Sequence, residues 1–138
     1  MNTTKEKFTR VQRDSDGKYN LINANGKLLF DKWFDFVSDF YGEVAIVIRT
    51  NGDFNFINKQ GEILSEQWFE WADDFNDGFA VVKRSTDKLW NLIGENGKFL
   101  SNEWFKWAED FNNGYAEVQR TNGEWAKIDK NGKIVVSK

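Results

Sequence analysis

Apolar residues in this chain come in short clusters punctuated by glycine, and the clusters repeat. Tyr19-Asn20-Leu21-Ile22, Phe54-Asn55-Phe56-Ile57, Trp90-Asn91-Leu92-Ile93 and Trp125-Ala126-Lys127-Ile128 lead into Asn25-Gly26-Lys27, Gln60-Gly61-Glu62, Asn96-Gly97-Lys98 and Asn131-Gly132-Lys133, respectively. Successive glycines lie 35, 36 and 35 residues apart, a period that marks a repeat array. Leu28-Leu29-Phe30, Glu62-Ile63-Leu64, Phe99-Leu100 and Ile134-Val135-Val136 follow. Short apolar runs on either side of Asn-Gly predict β-hairpins, because a two-residue type I′ turn needs positive φ at both positions and Asn and Gly tolerate it best.

A second hairpin precedes each of these. Val11-Gln12-Arg13, Val47-Ile48-Arg49, Val82-Lys83-Arg84 and Val118-Gln119-Arg120 run into turns containing Asp16-Gly17, Asn51-Gly52, Thr86-Asp87 and Asn122-Gly123. The expected fold is therefore all-β, a single repeat domain spanning 1–138 and built from four three-stranded antiparallel meanders at 8–30, 43–64, 79–100 and 115–136. The connectors 31–42, 65–78 and 101–114 show another spacing. Trp33, Phe36, Val37 and Phe40 follow i, i+3, i+4, i+7, as do Trp68, Trp71, Ala72, Phe75 and Trp104, Trp107, Ala108, Phe111. That period predicts short helical turns with the Trp stripe in the core. Gly42 comes one residue earlier than Gly78 and Gly114 do, with Glu43 in their place, which predicts a local distortion there.

The repeated unit runs from an aromatic and a small or polar residue through Ile and Gly-Lys to a connector ending in Asp-Phe, then Gly-aromatic-Ala-x-Val. Its best-kept copies are Asp74-Phe75-Asn76-Asp77-Gly78-Phe79-Ala80-Val81-Val82 and Asp110-Phe111-Asn112-Asn113-Gly114-Tyr115-Ala116-Glu117-Val118. This pattern resembles the WG-repeat (KWG-repeat) family of bacterial β-repeat proteins. The resemblance covers residues 8–136 and implies an all-β repeat fold with a binding role and no particular chemistry. The Trp-Gly dipeptide itself is replaced by Tyr19-Asn20, Phe54-Asn55, Trp90-Asn91 and Trp125-Ala126. Asn can stand in for Gly at positive φ, whereas Ala126 cannot do so cheaply.

Composition narrows the function. The chain has no His, Cys or Pro, which excludes Ser-His-Asp and Cys-His catalysis, thiolate or imidazole metal sites and disulfides. A net charge of -3 from 19 basic and 22 acidic side chains supplies no bulk positive field for nucleic acid or an anionic membrane. Met1-Asn2-Thr3-Thr4-Lys5-Glu6-Lys7 has no apolar core of a signal peptide, and a cytoplasmic location is expected. Aromatic residues make up 17% of the chain, so large rings are available to close a thin core or to form a binding platform.

Three features are candidates for binding. Arg13, Arg49, Arg84 and Arg120 recur at one strand end; a guanidinium column could hold anions, or each Arg could tie neighbouring units together through Asp39, Asp74 or Asp110. Trp33, Trp68, Trp71, Trp104 and Trp107 form either core or an exposed platform. Phe34, Phe69 and Phe105 each follow a stripe Trp, and neighbours on a helix point in different directions, so these rings are expected on a contact surface or wedged between units. The middle connector holds Glu66, Glu70, Asp73, Asp74 and Asp77 without a Lys or Arg. Paired carboxylates could serve glycoside cleavage or Ca²⁺, but the spacing matches neither specifically, and a solvated acidic face is the simplest account.

These residues lead to a non-enzymatic protein-binding repeat module, with Glu66, Phe69, Glu70, Asp73, Phe34 and Phe105 as partner-binding residues and no cofactor or metal. The expected partner is another protein with a basic surface, and the chain is expected to be a monomer that engages neither nucleic acid nor membrane directly. Two alternatives stand beside it. One is a small phage or mobile-element inhibitor that blocks a nucleic-acid-handling effector such as a CRISPR nuclease; the other is a carbohydrate-binding module that stacks sugars on Trp rings.

Overall fold

A computed structural model describes residues 7–136. Twelve strands alternate with turns, and no helix occurs among the described residues. The strands are β1 (Thr9–Gln12), β2 (Tyr19–Ile22), β3 (Phe36–Val37), β4 (Val44–Ile48), β5 (Phe54–Asn58) and β6 (Trp71–Ala72), then β7 (Phe79–Lys83), β8 (Trp90–Gly94), β9 (Trp107–Asn112), β10 (Tyr115–Gln119), β11 (Trp125–Asp129) and β12 (Ile134–Val136). They form four antiparallel sheets, β1-β2, β3-β4-β5, β6-β7-β8 and β9-β10-β11-β12. The all-β repeat is as expected; the helical connectors are not.

Each connector is extended and joins the following sheet. Trp71 and Ala72 pair with Lys83 and Val82, and Glu70 N–H donates across to the Lys83 carbonyl at 2.8 Å. Before that, Phe34, Phe69 and Phe105 each bridge back to the preceding sheet at Tyr19, Phe54 and Trp90. Two events then mimic a helical spacing. The chain changes sheets between Phe69 and Trp71, and an extra residue follows: three residues, 73–75, face two between the pairs Ala72↔Val82 and Asn76↔Phe79. In β9 the same bulge sets Glu109 and Asp110 opposite Glu117. Inward positions thus fall three apart, at Phe34, Val37, Phe40, at Phe69, Ala72, Phe75 and at Phe105, Ala108, Phe111, all packed in the core. A strand interrupted by a sheet change and a bulge produces that spacing without any helical hydrogen bond.

The third strand of each expected meander survives as a strand only at Ile134–Val136; earlier it shrinks to the single bridges Ile22↔Leu28, Ile57↔Ile63 and Ile93↔Phe99. Buried Asn residues explain the difference. Asn20, Asn55 and Asn91 are fully buried, donating to the Phe30, Ser65 and Ser101 carbonyls at 2.9, 2.8 and 2.9 Å and accepting from the next backbone N–H. They satisfy carbonyls where the chain peels away from the sheet. Ala126 needs no such amide, because Val136 continues pairing opposite it. None of these four residues has positive φ, so Asn replaces Gly here for its side chain and not for its backbone freedom.

Turn types are redistributed as well. The Gly-Lys turns hold three residues with only the Gly at positive φ, as in Gly94 to Lys98, where Gly97 N–H returns to the Gly94 carbonyl at 2.9 Å. The two-residue turns lie instead at the connector ends. Asp77-Gly78 and Asn113-Gly114 have positive φ at both positions, the type I′ pattern. Gly42-Glu43 has it at the first alone, the pattern of type II′, between the paired Tyr41 and Val44. The displaced glycine changes the turn type and leaves the loop length intact.

Hydrophobic cores lie at the seams between successive sheets. Leu21, Phe34, Val47 and Ile57 fill the first, Phe56, Phe69, Val82 and Ile93 the second, and Leu92, Phe105, Val118 and Ile128 the third.

Candidate binding surface

Outward residues at one end of the central strands form the most distinctive surface. In the third sheet Lys83 pairs with Trp71 on one side and Trp90 on the other, and in the fourth Gln119 is flanked by Trp107 and Trp125. Ile48 stands between Phe36 and Phe54 in the second sheet. Directly paired residues share a face of a sheet, so each triplet points outward together. Rings also meet across the seams: Phe54 and Trp71 centroids are 5.2 Å apart, as are those of Trp90 and Trp107. Between Tyr19 and Phe36 the Arg10 guanidinium lies 5.4 and 5.7 Å from the two rings. The result is an aromatic row crossing all four sheets. Trp71 and Trp107, expected in the core, are 45% and 41% exposed.

The row has an acidic edge at the seam of the third and fourth sheets. Trp71, Trp90 and Trp107 line an open groove there, with Val81 and Ala108 beneath and Asp73, Glu109 and Asp110 alongside. Trp71 Nε1–H donates to Asp73 Oδ1 and Trp107 Nε1–H to Glu109 Oε2, both at 3.0 Å. These bonds fix the indoles and leave the groove rich in acceptors. The Asp110 carboxyl is raised from its ordinary pKa, first by partial desolvation at the seam and then by the charge of Asp73, against a lowering hydrogen bond with Asn76. Among the described residues no Lys or Arg pairs with Asp73, Glu109 or Asp110. No three acidic side chains among those residues are placed to hold a metal ion.

The residues singled out from sequence do not come together. Phe34, Phe69 and Phe105 are buried and cannot offer contact area to a partner; they are the seam cores. Glu66 is exposed in a different groove, beside Trp33, Trp68 and Arg49 at the seam of the first and second sheets. Glu70 is held by Lys83 at 3.3 Å and by Lys88, and its pKa is lowered chiefly by the Lys88 hydrogen bond. Of the six, Asp73 alone lines the tryptophan groove. Sequence reasoning gave Trp90 and Glu109 no binding role and took Asp110 as an arginine partner; the adjacent acids Asp73-Asp74 and Glu109-Asp110, one repeat apart, were the available signal.

The repeated arginines have a structural place. Arg13, Arg49 and Arg84 stack on Trp33, Trp68 and Trp104 with guanidinium carbons 4.6, 4.3 and 4.1 Å from the ring centroids. Each also binds an acid of its own turn, Asp16, Asp53 or Asp87, and Arg84 does so with two bonds of 2.8 Å. Arg13 holds the Asp16 carboxyl at a pKa of about 2. The expected partners Asp39, Asp74 and Asp110 take no part in these pairs.

Comparison with known proteins matches the sequence to a repeat family. The WG containing repeat matches residues 21–52, 56–90 and 92–125. No curated protein matches the chain. Among solved structures, the computationally designed Ika8 protein is similar over 96% of this chain and 46% of its own, at 12% identity and a TM-score of 0.47; the present chain thus spans about half the length of that protein. Three consecutive matches account for most of the chain, and the chain belongs to the WG-containing repeat family.

Proposed function

We propose that this chain is a non-catalytic binding module that presents its outward aromatic row to another protein. The observation that carries this reading is the continuity of the row: rings from all four sheets lie on one face, and Trp71, Trp107 and Trp125 remain more than two-fifths exposed. Exposed contiguous aromatic surface is a feature of interaction sites. Repeat arrays commonly bind along such a face, because stacking copies one residue position across the molecule. The six residues proposed from sequence give way to Trp71, Trp90, Trp107 and Trp125 as the contact set, with Asp73 retained.

The test is a partner capture by the parent chain and by Trp71→Ala/Trp107→Ala, with β structure checked by circular dichroism. A folded double variant that loses the partner supports the reading. Undiminished capture by the folded variant would overturn it.

A further inference from the structure

The molecule solves one recognition problem repeatedly, and the tryptophan groove offers the same parts with one missing. At Arg13, Arg49 and Arg84 a guanidinium lies on a Trp face while a carboxylate of the turn pairs with its N–H groups. The groove between the third and fourth sheets has Trp faces and carboxylates in reach of each other, Trp71 with Asp73 and Trp107 with Glu109. No Lys or Arg among the described residues pairs with those carboxylates. Lys83 rests its ammonium 5.3 Å from the Trp90 centroid but is committed to Glu70 at 3.3 Å. Lys127, next to Glu109 and Asp110 in the neighbouring depression, has its ammonium over Tyr115 at 5.8 Å.

We infer that the groove lined by Trp71, Trp90, Trp107, Asp73, Glu109 and Asp110 receives an arginine side chain presented by a segment of the partner protein. This rests on the protein-binding reading above and names the chemistry the partner must carry. A guanidinium suits the groove on three counts. Its flat face stacks on indole, its forked N–H edge pairs with carboxylates, and it keeps its charge at any physiological pH. Charge complementarity favours it further: the bulge of β9 sets Glu109 beside Asp110, and Asp73 faces them across the seam, so like charges crowd where a cation would relieve them. A sugar fits less well. Its hydroxyls both donate and accept, whereas the indole N–H groups of Trp71 and Trp107 are already used and the carboxylates only accept.

The experiment titrates an acetylated and amidated Gly-Arg-Arg-Gly peptide into the full chain and follows the indole Nε1–H resonances by NMR. The same peptide with citrulline in place of arginine serves as the neutral isostere. The arginine peptide is expected to shift the Trp71 and Trp107 signals saturably, while the citrulline peptide leaves them in place. Glu109→Gln with Asp110→Asn is expected to weaken binding about five- to tenfold, the scale of an exposed stacked ion pair, whereas Glu95→Gln, an exposed acid elsewhere, leaves it unchanged. Equal binding of citrulline, equal weakening by Glu95→Gln, or no saturable indole shift would overturn the inference. Failure here is separable from failure of the module reading. A partner lost by Trp71→Ala/Trp107→Ala but retained by Glu109→Gln/Asp110→Asn sinks the arginine site and keeps the row, and retention by both variants sinks both.

Discussion

Glycine at the Gly-Lys turns carries two separate demands, and one residue distinguishes them. Gly26 and Gly97 have nearly the same positive φ, 80° and 82°, which strains any L side chain. A Cβ at Gly26 would meet nothing within 4 Å, whereas one at Gly97 would lie 2.5 Å from the Leu64 carbonyl of the preceding seam. A Cβ at Gly61 or Gly132 would likewise lie 2.5 or 2.7 Å from the Leu29 or Leu100 carbonyl. The glycine therefore closes a turn in every unit and lets the sheets approach only where a sheet precedes it. Gly26→Ala is expected to cost about 1 kcal/mol from backbone strain alone. Gly97→Ala adds a clash with backbone and is expected to cost at least about 1 to 3 kcal/mol more. Urea midpoints of the two variants measure the difference, and equal losses would remove the seam role of Gly97.

Connectors show why an element's period can mislead. A helix places i, i+3, i+4 and i+7 on one face, and the Trp stripe meets that rule. A strand that leaves one sheet, joins the next and bulges also places inward residues three apart, which selects Phe105, Ala108 and Phe111 and turns Trp107 outward. Burial then reverses the expected energetics of neighbours. Phe105→Ala removes a fully buried ring and is expected to cost about 3 to 5 kcal/mol. Trp107→Ala removes a ring 41% exposed and is expected to cost less than half of that, because the cavity contribution is missing. Denaturant unfolding of both variants checks the order; a larger loss at Trp107 would place the stripe back in the core.

Across the whole molecule the stack is held seam by seam, and its last sheet presents a different face. Leu21, Phe56 and Leu92 are buried against the sheet that follows them, yet Lys127 at the same repeat position is exposed. Glu117, paired with Lys127, stands where Ile46 and Val81 pack into seams. Packing another sheet there would desolvate both charges, which is costly without tight compensation. Glu117→Val with Lys127→Leu is expected to convert the face into an exposed seam and to cause concentration-dependent self-association relative to the parent chain. Sedimentation velocity measures it. Unchanged sedimentation up to high concentration would show that this face lacks the shape of an inner seam.

Local chemistry made much of this protein legible from residues alone. The period of 35 or 36, the glycine turns, the all-β class and the family resemblance follow from spacing and from what Gly, Asn and β-branched residues do to a backbone, and these effects act within a few residues. Which rings are inside does not follow, because Phe69 and Trp71 are both aromatic and only the change of sheet between them decides that one fills a seam and the other faces out. The role of Asn91 likewise depends on a carbonyl ten residues away that the chain exposes as it leaves the sheet. The groove depends on longer range still. Trp71 and Asp73 meet Trp107, Glu109 and Asp110 across a seam, and a juxtaposition of residues one repeat apart is set by how sheets stack, a relation that no local pattern encodes.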